Sequence, residues 1–169
     1  MKITYRFPIA SDLDLLLDHI NSASKEQTYI LKQGYQFSKE EERDYLESLI
    51  KQIGDKKTVL LMAFDQDKLV GTADVRIGIG AEKHVGTFGI IIKKEYRDQK
   101  IGTELMKKTL EKAIDHIDGL KIICLSVFSD NKRALHLYEK IGFKKYGELP
   151  NGVMRKNKLS NHIYMYLNV

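Results

Sequence analysis

The stretch Thr87-Phe88-Gly89-Ile90-Ile91-Ile92-Lys93-Lys94-Glu95-Tyr96-Arg97-Asp98-Gln99-Lys100-Ile101-Gly102-Thr103 decides how this chain is read. It opens on an apolar run of strand character. It closes on a polar loop carrying Arg97, Lys100 and Gly102. Apolar residues then follow at Ile101, Leu105, Leu110, Ala113, Ile114 and Ile117, a helical pattern. A helix starting there offers N–H groups with no intrahelical acceptor, and its dipole favours an anion. Strand, basic glycine loop and helix N-terminus together form a phosphate cradle. The cradle is neither a P-loop nor a Gly-x-Gly-x-x-Gly dinucleotide turn.

The segment that follows sharpens the reading. Residues 121–127 form an apolar strand leading into Ser129-Asp130-Asn131. Then comes Lys132-Arg133-Ala134-Leu135-His136-Leu137-Tyr138-Glu139-Lys140-Ile141-Gly142-Phe143. Asn131 and Tyr138 are seven apart, about two helical turns, and so share a face. Gly142 is placed to end the helix and Phe143 to start the next strand.

On these residues the chain resembles the GNAT superfamily of N-acetyltransferases. The family's Arg/Gln-x-x-Gly-x-Gly/Ala signature is matched from Arg97 to Gly102. Its Asn-x-x-Ala-x-x-Leu-Tyr-x-Lys-x-Gly-Phe signature is complete from Asn131 to Phe143. The core of the resemblance covers residues 84–143, with Lys100 standing where the family usually has glycine. The resemblance implies acetyl-CoA as cosubstrate, lying between two splayed parallel strands. It implies that the backbone at Ile90, Ile91 and Ile92 holds the pantetheine amides, as an added strand would. The loop of Arg97, Asp98, Gln99, Lys100, Ile101, Gly102 and Thr103 would hold the pyrophosphate. Asn131 would contact the pantetheine arm, and Tyr138 would protonate the departing sulfur. Gly89 is expected to mark a bulge. The general base stays open: residues 85–89 contain no acid, and Asp74, Glu82 and His84 are the nearest candidates.

The remainder of the chain fits this frame. Residues 2–6 read as a first strand, and Met1 to Arg6 as strand rather than signal peptide. Ser11 is expected to cap a first helix bearing Leu13, Leu16, Leu17 and Ile20. Residues 24–37 are expected to be irregular and aromatic. Ser38 with Glu41 forms a capping box opening a second helix to about Gly54. Strands at 58–64 and 69–77 form a hairpin. Residues 84–93 form the next strand, and 143–149 and 162–168 are strands joined by a polar link over 150–161. The order β-α-α-β-β-β-α-β-α-β-β predicts an α+β fold: a mostly antiparallel, twisted sheet flanked by helices, with one splayed parallel pair. Residues 1–169 read as one domain.

Composition bounds the function. The chain is 43% hydrophobic and 30% charged, with net charge +5. Cations alternate with acids, as in Lys39-Glu40-Glu41-Glu42-Arg43-Asp44, so the excess reads as solvated surface and no nucleic-acid partner is expected. No apolar run reaches membrane-spanning length, so no membrane partner is expected. No metal-ligand pattern is present, and no metal is expected. The lone Cys124 fits a reducing cytoplasm and a core position rather than a nucleophile. The expected activity is transfer of acetyl from acetyl-CoA to a primary amine, on a small molecule or a peptide or protein N-terminus, by direct attack in a ternary complex. The alternative is a non-catalytic acetyl-CoA-binding regulatory module. A homodimer is left open.

Overall fold

The computed structural model describes residues 2–169; Met1 of the expected first strand lies outside them. Seven strands form one sheet in the order β1-β2-β3-β4-β5-β7-β6. They are β1 (Ile3–Arg6), β2 (Thr58–Asp65), β3 (Lys68–Ile77), β4 (Val85–Ile92), β5 (Ile122–Phe128), β6 (Lys144–Arg155) and β7 (Lys158–Asn168). The α-helices are α1 (Leu13–Glu26), α2 (Lys39–Gly54), α3 (Ile101–His116) and α4 (Lys132–Ile141). All pairings are antiparallel except β4 with β5. The predicted element order and fold class hold.

Strand alternation sorts the core onto two faces. Val59, Leu61 and Ala63 of β2 join Leu105, Met106, Leu110 and Ala113 of α3 on one face. Leu60, Met62 and Phe64 face the other way, against Leu16 of α1 and Leu46 and Leu49 of α2. Ile114, expected on the apolar face of α3, is half exposed, one position off the buried stripe.

Four local expectations are corrected. Asp12, not Ser11, organises the entry to α1: its carboxylate takes the Ile9 N–H at 2.8 Å and both arms of Arg6 at 2.7 Å. A charge-assisted pair outcompetes a hydroxyl there. Helix α1 runs on through Glu26, so residues 24–26 are helical; Gln27 ends it in the left-handed conformation, φ 52°. The link over 150–161 is an extension of the β6–β7 hairpin, turning at Lys156 and Asn157, both at positive φ. Pro150 is accommodated on an edge strand where the register shifts between Leu149 and Val153. Gly89 marks no bulge, because β3–β4 pairing runs without a shift. A Cβ at Gly89 would sit 3.2 Å from Asp74 Oδ1, so glycine makes room for that carboxylate. The capping box is as predicted: Ser38 Oγ accepts from Glu41 N–H, and Glu41 Oε2 accepts from Ser38 N–H.

Two buried ionisable groups pull stability in opposite directions with pH. Burial, helped by the nearby Lys93 charge, holds His19 down to about 4. Its contribution is present above the ordinary histidine value of about 6.5 and lost as pH falls toward 4. Burial pushes Glu42 up to about 7, so its contribution is lost as pH rises through that value. We expect His19→Leu to remove an acid-side stability loss on the order of 3 kcal/mol between pH 6.5 and 4. Glu42→Gln should remove the opposite slope between pH 4.5 and 7, both read from urea midpoints across pH.

Candidate active site

Strands β4 and β5 pair for three positions only: Val85 with Ile122, Gly86 with Ile123, and Thr87 with Cys124. Beyond them β4 continues on β3, and β5 continues on β7. Each strand therefore keeps one free edge from Phe88 and Leu125 onward, with peptide groups that need a partner. A cleft of about 1090 Å³ opens along the β4 edge, with α4 rather than β5 lining it on the far side. Ile90, Ile91 and Ile92 line one wall, half-buried rather than core.

The end of the cleft near α3 is built from the loop singled out in the sequence. Lys100 is the N-cap of α3 at φ 65°, ψ −1°, the left-handed conformation that glycine adopts without cost. Lysine thus keeps the backbone shape of the residue it replaces. The N–H groups of Ile101, Gly102 and Thr103 find no carbonyl, whereas that of Glu104 bonds Lys100. Three donors and the helix dipole thus remain for an anion. Lys100, Gly102 and Thr103 line the cleft; Ile101 is core and offers only its backbone. Asp98 and Gln99 are exposed and outside the lining: Asp98 pairs with Arg133, and Gln99 reaches the Glu95 carbonyl. Arg97 lines the cleft, but its fork is engaged by Glu26 at the end of α1, at 2.6 and 2.7 Å, while its Nε donates to the Ile92 carbonyl at 3.0 Å. The same pair holds the Glu26 carboxyl below its usual range. Nothing in the sequence announces this contact, which joins residues 71 apart.

Opposite β4, Asn131 caps α4 by accepting the Ala134 N–H at 3.3 Å, leaving its amide NH₂ free. Tyr138 follows on the same helix. Both line the cleft, as their spacing predicts. Tyr138 is 8% exposed and packs edge-on to Phe88, with centroids 6.5 Å apart, and against Phe143. Its hydroxyl has no partner among the described residues, and burial pushes it up to about 12.

The base candidates are not brought together with this site. Glu82 and His84 are exposed at the paired end of β4, away from the opening. Asp74 lies beside Gly89, bonded to Arg76 at 2.8 Å and absent from the cleft lining; burial raises it. Of the aromatic residues that follow α1, Tyr29 lines the cleft. Tyr35 packs on Phe37, and Tyr146 packs on Tyr164 and Tyr166, away from it. Arg155 and Asp130, not singled out in the sequence, also line it.

Residues 22–143 match the Acetyltransferase (GNAT) family, more than half of the chain. The chain belongs to that family. It is 32% identical over 92 residues to N-alpha-acetyltransferase 30 of Schizosaccharomyces pombe, covering 52% of this chain and 59% of that protein. The curated relatives it matches are spanned over 30% to 59% of their own lengths. Among solved structures, a GNAT-family acetyltransferase of Streptococcus pneumoniae superposes with TM-score 0.89 at 24% identity, over 99% of this chain and 100% of that one. YncA of Salmonella typhimurium, solved with its cofactor acetyl-CoA, gives 0.86 at 14% identity, over 99% and 94%. These structural likenesses fix the GNAT fold.

Lys100 gives a direct test of the loop. Lys100→Gly removes a left-handed side chain and should stabilise the fold by about 1 kcal/mol. Acetyl-CoA affinity, measured by calorimetry, should change by less than about tenfold, the scale of one exposed charge. A hundredfold loss would make the ammonium an essential ligand.

Proposed function

We infer that the protein is an acetyl-CoA-dependent N-acetyltransferase, acting as a single domain by direct attack of a primary amine in a ternary complex. One observation carries this reading: the free edge of β4, the unpartnered N–H groups opening α3 and the Tyr138 hydroxyl all face one cleft. The donor set of the cleft fits such a coenzyme. Ile90, Ile91 and Ile92 offer backbone groups to the two amides of pantetheine, as an edge strand accepts another strand. Ile101, Gly102 and Thr103 offer N–H groups to the pyrophosphate, and Lys100 adds charge. Gly102 leaves the backbone open to close approach: its missing Cβ would lie 3.4 Å from Ile92. Arg97 ties the loop to β4 and α1, Asp98 holds Arg133 beside it, and Gln99 braces it through Glu95. The free NH₂ of Asn131 faces the pantetheine arm.

The chemistry follows from these positions. The amine nitrogen bonds to the thioester carbonyl carbon, and N–H groups at the β4 edge receive the developing oxyanion. The carbon–sulfur bond then breaks, and Tyr138 donates its proton to the leaving thiolate. A phenol held up to about 12 keeps that proton throughout the working range. Both carboxylates lining the cleft, Glu26 and Asp130, are ion-paired, which leaves water and the imidazole of His136, also in the lining, to take the proton lost by the amine. Cys124 takes no part; burial raises its thiol, and it sits in the last β4–β5 pair before the strands part, outside the cleft lining. A reducing cytoplasm suits this unpaired thiol.

The test is thiol release from acetyl-CoA with a panel of amines. At about 100 times Kd, acetyl-CoA should also stabilise the fold by about 2.7 kcal/mol. Tyr138→Phe should lower kcat by about 10²–10⁴ while leaving acetyl-CoA affinity intact, since the ring and its packing stay. Wild-type activity should rise with pH as the amine deprotonates, with no fall from Tyr138 ionisation below about 12. Full kcat in Tyr138→Phe, with chemistry rate-limiting, would remove the proton-donor role.

A further inference from the structure

The α1-side wall of the cleft carries a polar cluster that the transfer chemistry leaves unused. Arg155, at the end of β6, stacks its guanidinium on the ring of Tyr29, 4.1 Å from the centroid. Its Nη2 donates to the Tyr29 hydroxyl at 3.0 Å and to Asp130 Oδ2 at 3.3 Å. Phe128, at the end of β5, holds the Tyr29 ring edge-on at 5.7 Å. The loop carrying Tyr29 is itself tied to α1, where the Asn21 side chain bonds Phe37 N–H and carbonyl and the Ser24 hydroxyl meets the Lys32 carbonyl. Three separate parts of the chain thus fix one arginine in place.

That arginine is under-used. Its side chain is only 24% exposed, yet its one ion pair is long. Nε is sealed without a partner. Nη1 donates to nothing among the described residues, and it is not one of the sealed atoms. A cation partly withdrawn from water with a free donor is costly unless a ligand completes it. The wider charge pattern agrees. Eight cations and two acids line the cleft; both acids are ion-paired, and the one carboxylate oxygen left without a partner, Asp130 Oδ1, is sealed from solvent. Lys100 and Arg133 lie at the α3 and α4 ends, where the coenzyme phosphates are read. Arg155 lies against the segment that follows α1, through Tyr29, the side that the acetyltransferase reading leaves for the acceptor. A polycationic acceptor finds no free carboxylate here, whereas an anionic group on the acceptor finds Arg155 waiting.

We propose that Arg155, oriented by Tyr29 and Asp130, binds a carboxylate on the acceptor, so that the acceptor class is a small amino acid or analogue with its carboxylate close to the reacting amine. This rests on the acetyltransferase reading. Charge-assisted hydrogen bonding supplies the selectivity, and the pre-set guanidinium loses little freedom on binding.

The experiment compares the L-amino acids with their C-terminal amides as acceptors in thiol release from acetyl-CoA. The amide's amine is the less basic and the more available nucleophile, so a preference for the acid cannot come from the amine. The acid should be preferred by about tenfold or more in kcat/KM. Arg155→Gln should raise KM for the acid about ten- to hundredfold and collapse the acid-to-amide ratio toward one, with partial recovery in Arg155→Lys. Acetyl-CoA affinity and melting temperature are measured on each variant. Amides used as well as acids, or an acid-to-amide ratio that survives Arg155→Gln, would overturn the assignment. A loss of acetyl-CoA affinity equal to the loss for the acid would make Arg155 a coenzyme ligand instead. Should no amine release thiol although acetyl-CoA binds, the acetyltransferase reading fails on its own. Calorimetry of acids and amides on CoA-loaded protein then decides: acid binding lost in Arg155→Gln upholds the site, and no acid binding overturns it.

Discussion

The parting of β4 from β5 after Thr87 and Cys124 is the constraint on which the rest of this structure depends. Two parallel strands that stayed paired would satisfy every peptide group and leave no slot. Here each strand leans on its other neighbour, β3 or β7, and leaves one edge unpaired. Helix α4 covers the gap on one face, with Tyr138 packed on Phe88 at the point where the pairing ends. Unpaired edges are a liability in most sheets. In this one the β4 edge lines a cleft, where an extended ligand with amides of its own would complete it.

The second constraint is electrostatic and joins the two sides of the sheet. Glu26 at the end of α1 holds Arg97 in the coenzyme loop, and Arg97 in turn holds the last carbonyl of β4. The end of α1 and the loop before α3 therefore share one part-buried ion pair. Removing either partner leaves the other charge without its mate, which costs more than the pair contributes. The same logic places Arg155 between Tyr29 and Asp130 in the same cleft. Two arginines, each fixed by a carboxylate, frame the cleft.

What was legible in the sequence is what local rules and a contiguous signature encode. The capping box at Ser38 and Glu41, the Asn131–Tyr138 spacing and the Gly142 stop all follow from backbone chemistry within a few turns. Lys100 in a glycine conformation was legible as a departure but not as a shape, since a side chain gives no sign of its φ. The contacts that position the site were not legible. Glu26 with Arg97 and Tyr29 with Arg155 lie 71 and 126 residues apart, and no single sequence pairs them. The 150–161 segment misled for a physical reason. Pro150 and Gly152 are loop residues by propensity, yet an edge strand with a register shift tolerates them.

Amide hydrogen exchange, with and without acetyl-CoA, tests most directly whether the parted strands are the coenzyme slot. The account predicts that saturation with acetyl-CoA slows exchange at the free edge of β4, around Ile90, Ile91 and Ile92. It also predicts slowing at Ile101, Gly102 and Thr103, where donors wait for an anion. Bound acetyl-CoA that left both sets of amides exchanging as in the free protein would contradict it.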